Sequence, residues 1–303
     1  MADTEHQTFV VVAPPYSSRS GGIMVLHELC TELNRAGYKT GLVLITEGSQ
    51  ATQGFKFGHS SHAAFLDPNG VYHDFFTDQP ASHVHEFIAK SIAIYPDIIK
   101  GNPLNSKAFC TYVLGVPKFK IESQYIIRFS KLYIEECDFT LHKSFIAPCM
   151  NDDGTRHWTE RQLNLTYIGK GREFLECHTL PGTVLVERDW PRTKHELALL
   201  LKNCKYFFTW DCISATNGDA VLCGAVPIMM HDLQLPRTTL NTCEYGALPI
   251  IEEPLRLLSE CCLEEELSID TLVAACKSRI HSYHHSWHQH VVEFATDVTS
   301  KFK

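Results

Sequence analysis

Residues 207–227, FFTWDCISATNGDAVLCGAVP, decide the fold of the carboxyl-terminal half. An apolar run from Tyr206 to Trp210 ends at Asp211, and a polar turn of Ser214, Thr216, Asn217 and Gly218 follows. A short helix must then stop near Gly224, before a second apolar run from Val226 to Met230. Short apolar runs bounded by turn residues read as buried strands, and strand, helix, strand is the repeating unit of a parallel sheet. Thr216 and Asp219 have the T-x-x-D spacing of a capping box, which predicts a helix opening at Thr216. In open α/β sheets ligands sit beyond the carboxyl ends of the strands, where free helix amides attract phosphate. Asp211 and the turn through Asp219 are therefore the candidate ligand edge. The plainer alternative is that Asp219 only caps its helix and Asp211 only ends a strand.

The same alternation extends in both directions. Leu163 to Ile168 is a predicted strand that runs into Gly169-Lys170-Gly171-Arg172, Thr183 to Glu187 is another, and the box Thr193 to Glu196 opens a helix ending at Lys202. Lys170 and Arg172 lie between and beside glycines at a strand end, suited to compensating a diphosphate; Arg188, after the next strand, is a further candidate. In the first half, Phe9 to Ala13 is an all-apolar strand, followed by the loop PPYSSRSGG, a helix from Ile23 to Ala36 stopped at Gly37, and a strand from Thr40 to Ile45. Ser91 to Ile99 predicts a strand, and the turn Lys100-Gly101-Asn102-Pro103 precedes a predicted helix from Asn105 to Leu114. The turn-rich segment Asn151 to Gly154 marks the break, giving domains 1–155 and 156–303.

A length of 303 residues suits two domains, and 44% apolar with 20% charged residues is ordinary for a globular chain. The net charge of −8 argues against a general nucleic-acid binder. Twelve cysteines without any C-x-x-C pair read as reduced, buried thiols of a cytoplasmic protein. The opening MADTEHQTF lacks the pattern of a signal peptide, and no apolar run reaches the roughly 18 residues that span a bilayer. Neither D-x-D nor H-E-x-x-H occurs, so no metal and no cofactor are expected. His281, His284, His285, His288 and His290 read as a solvated terminal helix, whose apolar stripe is Trp287, Val291, Phe294 and Val298. Segment 118–133 mixes lysines with aromatics; a weak peripheral contact with anionic lipid is the alternative to packing on the core.

Asp211 and Asp219, with Ala220, Cys223, Gly224 and Pro227, resemble the E-x7-E motif and its continuation in GT-B glycosyltransferases, with Asp for both Glu and one extra residue between Gly224 and Pro227. YIGKG resembles the first loop of their carboxyl-terminal domain, and YPDIIKGNPL resembles bacterial sequences of the surface-polysaccharide type. The resemblance implies two Rossmann-like domains facing a cleft, the first on the acceptor side and the second on the nucleotide-sugar side, with a last helix crossing back to the first. It implies metal-independent, retaining transfer of a sugar from a nucleotide diphosphate sugar to a glycan or other hydroxyl acceptor. Donor contacts would come from Lys170, Arg172, Arg188, Asp211, Ser214, Thr216, Asn217 and Asp219. Gly21, Gly22, Tyr95 and Asn102 would line the cleft or a phosphate loop. An inverting enzyme would need a base among His27, His59 and Asp97. An epimerase or hydrolase of the same fold, or a non-catalytic nucleotide- or glycan-binding protein, is the alternative.

Overall fold

Five consecutive residues without exposed surface, Phe9–Ala13, form β1 in the interior of the first sheet. Such a run is what a strand covered on both faces requires. The computed structural model describes residues 7–17, 20–45, 55–57, 81–152, 156–173, 178–187, 189–211, 213–230, 244 and 263–303. The chain forms two compact units, Met1–Lys143 with His285–Lys303, and Ser144–His284. The break thus falls about a dozen residues before 155/156, and the carboxyl-terminal segment joins the first unit. Among the described residues no helix is long and apolar enough to cross a membrane.

In the first unit, α1 (Gly21–Arg35), β2 (Thr40–Ile45), β3 (Phe55–Phe57), α2 (Ala81–Lys90), β4 (Ile92–Pro96), β5 (Ala108–Val113), β6 (Tyr125–Arg128) and β7 (Phe139–Thr140) follow β1. The sheet order is β3-β2-β1-β4-β5-β6-β7, with only the β2–β3 pair antiparallel. The expected helix over Asn105–Leu114 is a correction: Ala108–Val113 is a strand, with Ala108 opposite Ile92. Asn105 has a positive φ of 52°, which no helix can run through. The strand expected over Ser91–Ile99 ends at Pro96.

Two glycine assignments also change. Gly21 and Gly22 are the first residues of α1, capped by Ser20, rather than part of an open loop. A Cβ on Gly22 would touch Leu114 Cβ at 3.4 Å, so this glycine serves close packing. On the unit's carboxyl-terminal helix, Trp287, Val291, Phe294 and Val298 are buried as the stripe predicts, and the Phe294 ring meets those of Phe9, Tyr125 and Phe139.

The second unit carries β8 (Leu163–Tyr167), β9 (Val184–Val186), α3 (Lys194–Lys202), β10 (Cys204–Thr209), α4 (Ala215–Leu222) and β11 (Val226–Met229). Its four strands are all parallel, in the order β11-β10-β8-β9. Helix α5 (Leu263–His285) follows, and α6 (Trp287–Lys301) is the helix of the first unit described above. Trp158, Leu180, Tyr206, Phe208, Val226, Ile228 and Ile269 form a continuous apolar core. Buried Cys204 and Cys223 are free thiols whose desolvation raises their pKa, that of Cys223 to about 12.

At the amino-terminal edge of this sheet lies a residue the sequence did not single out. Arg161 is 3% exposed, and its guanidinium donates to the carbonyls of Leu201, Cys204 and Cys223 and to Asp152 Oδ1, the last at 3.1 Å. Leu201 lies in the last turn of α3 and Cys223 caps α4, so one cation satisfies carbonyls at two helix ends. Gly224, at φ 77°, lets the chain pass; an added Cβ would stand 2.6 Å from Arg161 Nη2.

Candidate functional site

Chain order makes the site. From β8 the chain goes to β9 on one side, then crosses to β10 on the other, so the carboxyl ends of β8 and β10 flank a topological switch point. Ligands of open α/β sheets bind in the crevice that such a reversal opens. Gly169 and Lys170 follow β8, and Asp211 follows β10. Asp211 Oδ2 accepts a hydrogen bond from the Lys170 backbone amide at 2.8 Å, joining the two loops.

Gly169 makes that approach available. Its φ is +50°, and an added Cβ would stand 2.5 Å from Asp211 Oδ2 and 2.7 Å from the Tyr167 ring. Gly169→Ala is therefore expected to cost about 1–3 kcal/mol for the left-handed backbone and the clash. Chemical denaturation would measure it, and a loss below about 0.5 kcal/mol would show that the loop repacks freely.

Asp211 is 3% exposed. Its own carbonyl accepts from Asn217 Nδ2 at 2.9 Å and from Thr209 Oγ1 at 3.1 Å, which fixes the turn onto the start of α4. The expected T-x-x-D box is corrected here. Ser214 is the cap, its Oγ accepting from the Thr216 amide at 3.2 Å, and Thr216 and Asp219 lie inside α4. Ser214 Oγ also donates to Tyr167 Oη at 3.3 Å. Asn217 is buried, and its Oδ1 accepts no hydrogen bond among the described residues.

Asp219 is 5% exposed and ion-paired with Lys194 Nζ, a residue the sequence reading passed over. Burial raises the Asp219 pKa, and the Lys194 ammonium works against that rise. Both carboxylates are thus engaged within the protein. Asp211 holds the glycine loop and Asp219 holds a lysine; Lys170 and Lys194 are exposed, as are Glu187, Asp189 and Arg192 between β9 and α3. The Arg172 side chain and Arg188 lie outside the described residues.

The candidates of the first unit are not brought together in this way. Tyr95 is buried, and its hydroxyl donates to Asn102 Oδ1 at 2.9 Å and accepts from the Leu104 amide. The same Oδ1 accepts from the Ser106 amide and hydroxyl, while Asn102 Nδ2 donates to Ser106 O. Burial pushes the Tyr95 hydroxyl up to about 12. This network stabilises the turn after β4, and its polar atoms are occupied. His27 is buried, with Nε2 2.8 Å from the carbonyl of Pro14. Asp97 follows β4 and is half-buried; His59 lies outside the described residues. In the terminal histidine run, His284 Nδ1 pairs with Ser144 O, and His288 pairs with Glu32.

No protein-family model matches this sequence, and no curated protein does. Among solved structures, an α-glucosyltransferase in complex with UDP and a 13-mer DNA containing a HMU base is similar at 8% identity and a TM-score of 0.42. The match covers 97% of this chain and 98% of that one. The glycotransferase of kitacinnamycin is similar at 10% identity and a TM-score of 0.44, over 98% and 99% of the two chains. T4 phage BGT in complex with UDP and Mn2+ is similar at 8% identity and a TM-score of 0.40, over 96% and 99%. Likeness at this level assigns no residue a role.

Proposed function

We propose that this chain is a metal-independent glycosyltransferase of the GT-B type, moving a sugar from a nucleotide diphosphate sugar to a carbohydrate or other hydroxyl acceptor. The observation that carries the reading is the Asp211–Lys170 link across the switch point of the second unit. It holds a lysine-bearing glycine loop against the start of α4, so that cations and helix amides converge at one strand edge. Fixed positive groups of this kind stabilise a diphosphate leaving group without reorganising. Lys170 and Arg172 supply charge, and Ser214 and Thr216 shape the helix start. On the resemblance of the Asp211–Asp219 spacing to E-x7-E, the departing phosphate assists deprotonation of the acceptor, and configuration is retained.

The test is a thermal-shift panel of nucleoside diphosphates run in parallel with EDTA and with Mg²⁺ or Mn²⁺. A ligand at a hundred times its Kd stabilises the folded state by about 2.7 kcal/mol, a shift of several degrees. Such a shift for one base, surviving EDTA, is the expected result. A flat panel, or a shift seen only with Mg²⁺ or Mn²⁺, would overturn the reading. The inward engagement of both carboxylates also favours a second reading, a protein that binds the nucleotide without turning over a donor. Release of free nucleoside diphosphate from a nucleotide sugar in the presence of acceptor separates the two.

A further inference from the structure

We infer that Lys194, held by buried Asp219, is a diphosphate-binding residue of the second unit; the inference rests on the nucleotide-sugar reading above. Asp219 is 5% exposed and the Lys194 side chain is 50% exposed, so the lysine is the solvent-facing member of the pair. The turn therefore offers a cation where an acidic pair would offer a carboxylate to ribose hydroxyls. Asp219 lies four residues beyond Ala215, about 6 Å along α4 from its first residue. The Lys194 head is accordingly within about one helical turn of the start of α4, on the edge that carries Lys170.

The lysine sits where helix electrostatics alone would not favour one. Lys194 is the first residue of α3, the positive end of the helix dipole, where a cation is disfavoured. The capping box of Thr193 and Glu196 fixes this first turn, with Glu196 N donating to Thr193 Oγ1 at 3.1 Å. Asp219 is the single recorded partner of the ammonium among the described residues, so donors remain for an anion. The ligand class is a diphosphate, with the nucleoside read elsewhere in the turn.

Calorimetric titration of the full chain tests this with three probes: the nucleoside diphosphate that gives the largest thermal shift, its parent nucleoside, and inorganic pyrophosphate. Lys194→Met is expected to weaken both phosphorylated probes roughly ten- to a hundredfold while leaving the nucleoside unchanged. Lys194→Arg should restore most of the affinity. Because Lys194→Met strands a buried carboxylate, the double variant Lys194→Met/Asp219→Asn provides a neutral, folded counterpart and is expected to stay weak. Diphosphate affinity within twofold of wild type in that double variant would overturn the assignment, as would an equal loss for the nucleoside. Wild-type protein that binds pyrophosphate through Lys194 but no nucleoside diphosphate would overturn the glycosyltransferase reading and leave the anion site. Binding of neither would overturn both.

Discussion

Arg161→Met is expected to remove about 3–5 kcal/mol from the stability of the second unit, the usual cost of breaking one side of a buried ion pair. The loss goes beyond the bond to Asp152. Methionine fills much of the volume but donates to none of the carbonyls of Leu201, Cys204 and Cys223, which stay buried without their partner. Neutralising the acid as well, in Arg161→Met/Asp152→Asn, should therefore recover only part of the loss. Urea denaturation with an unchanged m-value is the measurement, and a shift worth less than about 1 kcal/mol would show that water replaces the guanidinium. Arg161 lies at the sheet edge opposite Asp211, so nucleotide affinity of the folded fraction should not change. That separation distinguishes a residue that holds the sheet from one that holds the ligand.

The strands of the second unit were legible because a parallel sheet writes them as unbroken apolar runs between turn residues. Leu163–Tyr167, Cys204–Thr209 and Val226–Met229 each fall within two residues of the run that predicts them, and the Thr193–Glu196 box is present in full. The same property misled in the first unit. AFCTYV is a buried run too short to show a period, so helix and strand are indistinguishable by pattern, and the left-handed Asn105 that settles the matter has no sequence signature. Thr216 and Asp219 matched a capping box by spacing alone, whereas Ser214, two residues earlier, does the capping.

Tertiary partners were the least legible layer. Asp211 and Gly169 were both in view, but only the folded chain shows that the acid accepts from Lys170 and that the glycine is what admits it. Lys194 and Arg161 carried no signal because their meaning depends on which helix packs beside which. Tyr95 and Asn102 carried one that sequence alone leaves open between a ligand loop and a structural turn. A Gly-Asn-Pro turn looks like a ligand loop until its hydrogen bonds are seen to close upon themselves.

Acid is expected to destabilise the first unit, and His142 is the reason. The ring is buried, its centroid 4.3 Å from that of Phe129 at a tilt of 45°, with Nδ1 donating to the Phe129 carbonyl at 2.9 Å. Desolvation lowers its pKa to about 4; the bond to Phe129 opposes that shift, and nearby His290 adds to it. An unfolded histidine titrates near 6.5. Between those values the unfolded chain binds a proton that the folded chain refuses, so stability is complete above about 6.5 and falls as pH drops toward 4, by about 3 kcal/mol. Denaturation at pH 7 and pH 4.5 should show the loss in wild type and a flatter profile in His142→Asn, which keeps a donor for Phe129 but does not titrate. Parallel profiles in the two proteins would remove His142 as the acid-labile group. The consequence for function is direct. An acid limb in a pH–rate profile that moves with His142→Asn while the alkaline limb stays where it was would report this loss of stability rather than a catalytic base.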